Sequence, residues 1–138
     1  MSLKEVESAN NLTLLPVDGS KRFYSDAGAD TIERYRSYDD RTARFLGWGA
    51  TVTYTFRDDR LFAYHVFVTD SDGERLDREF RAYLKRIFGE GAGEPNDGAA
   101  LKLIWHFKER IVNYWFIEDE LSLRSKFTAG FGVTRNDG

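Results

Sequence analysis

Two histidines are the only imidazoles of the chain, and one stands in each copy of a repeated segment. His65 lies in TVTYTFRDDRLFAYHVFV (51–68) and His106 in LKLIWHFKERIVNYWFI (101–117). Imidazole changes charge nearest neutral pH and is a common zinc ligand. If the two segments pair in one sheet, His65 and His106 would meet. With Asp70 or Glu118 they would form an acid–base or metal site, and Tyr54 and Trp105 would line it. The spacing does not fix that geometry, because neither H-x-H nor H-E-x-x-H occurs. A strand histidine bonded to backbone or facing solvent is the plainer expectation.

Carboxylates are the second candidates. Asp39-Asp40, Asp58-Asp59 and Glu118-Asp119-Glu120 are close pairs of the kind used for general acid–base work. All three fall where turns are expected, and Asp favours turns through its own local hydrogen bonds. Asp70-Ser71-Asp72-Gly73-Glu74 echoes a calcium loop, but its oxygen ligands do not continue at the required spacing. There is no phosphate loop, no G-x-G-x-x-G opening a helix and no G-x-S-x-G elbow. The glycines of Gly89-Glu90-Gly91-Ala92-Gly93 follow a helix pattern, the wrong polarity for a dinucleotide fingerprint. Cysteine is absent, so thiolate ligands, thiol nucleophiles and disulfides are excluded. No cofactor and no metal follow from these residues, and a non-enzymatic role is expected.

Composition narrows the partners. Net charge is −3 with the signs interleaved, not the basic excess of a nucleic-acid binder. At 138 residues, 41% hydrophobic and 31% charged, the chain suits one globular domain. No apolar run approaches the ~20 residues of a membrane helix. Met1–Asn10 lacks the apolar centre of a signal peptide. A cytoplasmic chain, or an exported one with its signal removed, fits equally. Aromatics make up 15% of the residues, which suits a strand-rich core or an aromatic interface.

The elements that must position these groups are legible in part. Aligning the repeated segments sets Phe56 on Phe107, Arg60 on Arg110, Leu61 on Ile111 and Tyr64 on Tyr114. Each copy is an aromatic and β-branched run, a charged turn and a second run, the pattern of a β-hairpin. Asp58-Asp59 and Lys108-Glu109-Arg110 are the expected turns. Leu61–Val68 is apolar on both faces, so both faces should be covered or one should meet a partner. Between the hairpins, Leu76, Phe80, Tyr83, Leu84, Ile87 and Phe88 form one stripe at helical period. Ser71 with Glu74 reads as its capping box, and Gly89 as its stop.

The flanks carry weaker signals. Residues 1–11 read as a flexible segment, and Leu12–Val17 as a short edge strand ended by Pro16. Asp18-Gly19-Ser20 reads as a turn. Asp30 with Glu33 suggests a short helix carrying Ile32, Tyr35 and Tyr38. Phe45-Leu46-Gly47-Trp48-Gly49 reads as an apolar plug, and Glu90–Ala100 as a loop. Leu121, Leu123 and Phe127 alternate as a last strand, and 128–138 reads as a loose tail. The expectation is one α+β domain over 12–127. It holds an antiparallel sheet of about five strands with one amphipathic helix on one face.

Tyr54, Phe56, Asp58 and Leu61, then Phe88-Gly89, Pro95 and Trp105, resemble small bacterial hairpin–helix–hairpin domains of unknown function. Many of those are exported or attached to lipoproteins. The resemblance covers roughly 51–127 and implies this fold and a possible export, with no active site. It departs at Asp59, where that pattern often has glycine.

Function is expected at the sheet face that the helix leaves bare. Phe62, Tyr64, Val66, Tyr114 and Phe116 are its contact candidates, expected to join two copies in a homodimer. The alternative is a small-ligand or hydrolase-type site between sheet and helix, built on His65 and His106.

Overall fold

The computed structural model describes residues 1–10, 15–16, 35–90, 100–119 and 126–136. The helices are α1 (Leu3–Asn10) and α2 (Gly73–Phe88). The strands are β1 (Leu15–Pro16), β2 (Tyr35–Phe45), β3 (Trp48–Arg57), β4 (Arg60–Asp70), β5 (Leu101–His106), β6 (Arg110–Asp119) and β7 (Lys126–Arg135). The six long strands run in the order β2-β3-β4-β7-β6-β5, all antiparallel, with the two-residue β1 outside β2. Two three-stranded meanders thus flank α2 and join along their third strands, β4 and β7. The α+β class holds. The sheet has six long strands where about five were expected.

The additional pairing lies where the sequence was read as irregular. Tyr35 and Tyr38 belong to β2, not to a helix; Asp30, Ile32 and Glu33 lie outside the described residues. Short polar residues make this strand viable by bonding across it. Ser37 Oγ lies 2.9 Å from Thr55 Oγ1, and Thr53 donates to Asp39 Oδ1 at 2.6 Å. The supposed plug at 45–49 is a hairpin turn, with Leu46 at φ 52° and Gly47 at φ 89°. Asp58-Asp59 is a turn as expected, both residues again at positive φ.

The loose tail expected over 128–138 is instead mostly β7, at the centre of the sheet. Ala129, Phe131 and Val133 are buried on its helix-facing side. Its glycines misled the reading, because on the other side they make room. A methyl at Gly130 would lie 2.6 Å from the Phe67 ring, and one at Gly132 would overlap the ring of His65. Aromatic rings thus fill the notches that glycine leaves in a strand.

The N-terminal segment is likewise ordered. Val6 of α1 is buried on Phe56, flanked by Leu3, Tyr38, Tyr54 and Leu61. The Leu61 N–H donates to the Met1 carbonyl at 2.6 Å.

Helix α2 forms as its apolar stripe predicts. Leu76, Phe80 and Leu84 are fully buried, whereas Ile87 is 52% exposed near the helix end. The N-cap is Asp72 rather than Ser71, accepting from the Arg75 N–H at 3.1 Å. Gly89 closes the helix at φ 85°, its N–H bonded to the Lys85 carbonyl. Trp105 Nε1 donates to the Gly89 carbonyl at 2.7 Å and ties the helix end to β5. The readings at Asp18–Ser20, most of Glu90–Ala100 and Leu121–Leu123 fall outside the described residues. No helix among the described residues is long and apolar enough to cross a membrane.

Candidate functional site

Cross-strand register assigns the expected contact residues to faces, since directly paired residues share a side. Tyr64 pairs with Val133, Val66 with Phe131, Tyr114 with Phe131 and Phe116 with Ala129. Helix α2 lies on that side. Phe80 stacks on Tyr114 at 6.0 Å, and the Tyr114 hydroxyl donates to Asp77 of the helix at 2.6 Å. Phe116 stacks on Phe127 at 5.7 Å. Tyr64, Val66, Tyr114 and Phe116 therefore sit on the helix-covered face, not the bare one. Strand β4 is apolar on both faces, so alternation alone could not choose between them.

Phe62 parts from this group. The β3–β4 register slips between Thr55 and Phe56, so Phe62 is the extra residue of a bulge. Its ring meets Tyr35 edge-on at 5.4 Å and lies under the Arg57 guanidinium at 4.8 Å. The five residues do not form one surface.

The histidines do share a side, the one away from the helices. His65 pairs with Thr53 and Gly132, and His106 with Ile111. Strands β7 and β6 lie between their strands. Three spacings of ~4.8 Å separate them by at least about 14 Å, too far for one site. His65 is buried, stacked on Phe67 at 6.1 Å and tilted against Trp115 at 5.8 Å. Burial pushes its pKa down to about 4, so it is neutral at pH 7. His106 is exposed. Tyr54 and Trp105 lie on the opposite side, the helix face, with Tyr54 paired to Tyr64 and Trp105 to Val112. The acid–base site expected from His65, His106, Tyr54 and Trp105 is not assembled.

The carboxylates are also dispersed. Asp70 accepts from the Asp72 N–H at 3.2 Å. Asp39 and Asp40 lie within β2, not in a turn, and Asp40 accepts from Thr42. Glu118 and Asp119 end β6 exposed. Among the described residues no group of three or more His, Asp or Glu side chains could hold a metal ion.

The cleft with a chemical rationale opens at one end of the sheet. The β4–β7 ladder stops at Ala63–Thr134. Its neighbours run further, β6–β7 to Arg110–Arg135 and β3–β4 to Arg57–Arg60. With the Phe62 bulge bending β4, the strand leaves β7 and a hollow opens between them. Its volume is about 230 Å³, lined by Leu61, Phe62, Ala63, Tyr64, Glu109, Arg110, Val133 and Arg135.

Arg110 is held at this cleft by stacking. Its guanidinium lies 5.4 Å from the Phe88 ring and 5.3 Å from the Phe107 ring. Burial raises the pKa of the Tyr64 phenol, the neighbouring Tyr83 adds to this, and Arg110 opposes it. Tyr64 is thus a neutral hydroxyl within the electrostatic reach of Arg110. A recess of about 450 Å³ adjoins, sharing Arg135 and lined also by Ser2, Glu5, Asp58, Asp59 and Arg60.

Of the expected contact residues, Phe62 and Tyr64 line the cleft. Arg110 and Arg135 were missed, since an isolated arginine in a hairpin carries no motif. One signal was available. The repeat sets Arg60 on Arg110, and these two open β4 and β6 at the same end of the sheet.

The chain was compared with protein-family models, curated proteins and solved structures, and none of them matches it.

Proposed function

We propose that the chain is a non-enzymatic binding domain whose ligand, a small molecule with an apolar body, occupies the cleft beside Tyr64. The carrying observation is the divergence of β4 from β7 while both flanking ladders continue. That divergence leaves a hollow between fixed strands, and Leu61, Ala63 and Val133 form the apolar part of its lining. Preformed, mostly apolar hollows with a few polar groups at the rim are what small-ligand sites share. At ~30 Å³ of liquid volume per water-sized atom, the hollow takes roughly seven or eight heavy atoms.

Self-association through the aromatic sheet residues is not part of this proposal. A homodimer built on Val66, Tyr114 and Phe116 would require α2 to leave the sheet.

The test is an amide NMR titration with 1-hexanol as an uncharged probe. Shifts confined to residues 61–64, 109–111 and 133–135 are expected. Leu61→Trp, which fills the hollow from a partly exposed lining position, should abolish them. Shifts centred elsewhere, or undiminished in Leu61→Trp, would overturn the proposal.

A further inference from the structure

Resting on that cleft, we infer that its ligand is a short-chain monocarboxylate, with the head on the Arg110 guanidinium and the hydrocarbon on Leu61, Tyr64 and Val133. Three observations carry the charge of the head group.

The first is the state of Arg110. It belongs to none of the ion pairs formed among the described residues, which join other side chains. Contact with the Phe88 and Phe107 rings neutralises no charge, but it restrains the guanidinium. A restrained guanidinium loses less further entropy on gripping a carboxylate with two hydrogen bonds.

The second is the register. Arg110 and Arg135 are direct cross-strand partners and both line the cleft, so two cationic side chains share one rim. Such a rim favours an anionic head over a neutral one.

The third is the surroundings. Glu109 is the acid on the same rim, and it forms no ion pair with Arg110. Asp58 and Asp59 line the adjoining recess. These carboxylates disfavour a doubly charged head, so one negative charge matches the site better than a phosphate dianion. The small apolar floor limits the tail to a few carbons.

The experiment compares hexanoate, 1-hexanol and inorganic phosphate by calorimetry and amide NMR at low salt. Hexanoate should bind ten- to a hundredfold tighter than hexanol, the range for hydrogen bonds to a charged group. Arg110→Gln should remove that preference, so that hexanoate binds the variant no tighter than hexanol does, with hexanol shifts at 61–64 and 133–135 still present to show the hollow intact. Arg110→Lys should keep part of it. Equal binding of hexanoate and hexanol would overturn the carboxylate assignment and leave the cleft standing. Phosphate binding as tight as hexanoate would also overturn it. If neither six-carbon probe binds, both the inference and the cleft reading fail.

Discussion

The Tyr114 hydroxyl donates to Asp77 Oδ1 across 2.6 Å, and Arg81 Nε reaches the same oxygen at 2.9 Å. This is a polar pin between the helix and the sheet, one helical stretch away from the Trp105 bond to the Gly89 carbonyl. Tyr114 is fully buried, whereas the Asp77 and Arg81 side chains are about 30% and 26% exposed. Tyr114→Phe keeps the ring stacked on Phe80 and removes only the donor. Hydrogen bonds to charged groups contribute about 1.5–3 kcal/mol, and solvent reaching Asp77 places this one near the lower end. A loss of about 1.5 kcal/mol in urea unfolding is expected, with an unchanged slope. A loss below ~0.5 kcal/mol would show that this bond adds little to the apolar packing of the helix.

Acid should destabilise the fold through His65. An unfolded histidine takes up a proton near pH 6.5, while buried His65 does so only near 4. Between those values the unfolded chain binds the extra proton, so stability falls as pH falls. The full shift corresponds to about 3 kcal/mol, intact above pH 6.5 and lost by about pH 4. His65→Gln should flatten that part of the stability–pH curve, whatever it does to the level at pH 7. Urea midpoints at pH 7, 5.5 and 4.5 for both proteins give the comparison. Parallel curves would remove His65 as the cause.

Which parts of this were legible in the sequence follows from which signals are local. Period-2 runs and a 3.6-residue stripe mark the hairpins and α2, because each is decided by neighbours along the chain. Strand β7 was hidden because glycine normally reports irregular chain. Its reason for being there, the rings of His65 and Phe67, sits about 65 residues away. The bulge at Phe62 was hidden for a similar reason. Alternation placed Phe62 with Tyr64, and only pairing with β3 shows the slip. The cleft is a further step removed. It arises where one ladder stops before its neighbours, a property of three strands together. Tyr64 entered the candidate set because it is aromatic, whereas Arg110 acquires its role only when Phe88 and Phe107 close on it.

Gly132 and His65 should be energetically coupled. A methyl at position 132 overlaps the His65 ring, which is buried and confined between Phe67 and Trp115. Gly132→Ala should destabilise by about 1–3 kcal/mol, as overpacking does. In His65→Ala the notch is vacated, so the same glycine change should then cost much less. A double-mutant cycle gives the coupling directly. Additive effects would mean that the ring has another place to go.

The Leu46-Gly47 turn offers a gain in stability. Two-residue hairpin turns with both residues at positive φ match the twist of the strands, and Asn-Gly suits them best. Here a leucine stands at φ 52°, where a side chain with a β-carbon costs about 1–2 kcal/mol and asparagine less. Leu46 is 37% exposed, so replacing it sacrifices some apolar contact. Arg44 Nη2 donates to the Gly47 carbonyl at 2.7 Å and holds the turn whichever residue occupies position 46. Leu46→Asn should therefore raise stability by about 0.5 kcal/mol, read as a higher urea midpoint at constant slope. Leu46→Ala loses the same contacts without relieving the backbone and should lower it. If both variants lower the midpoint equally, contact by the leucine side chain outweighs the strain at its backbone.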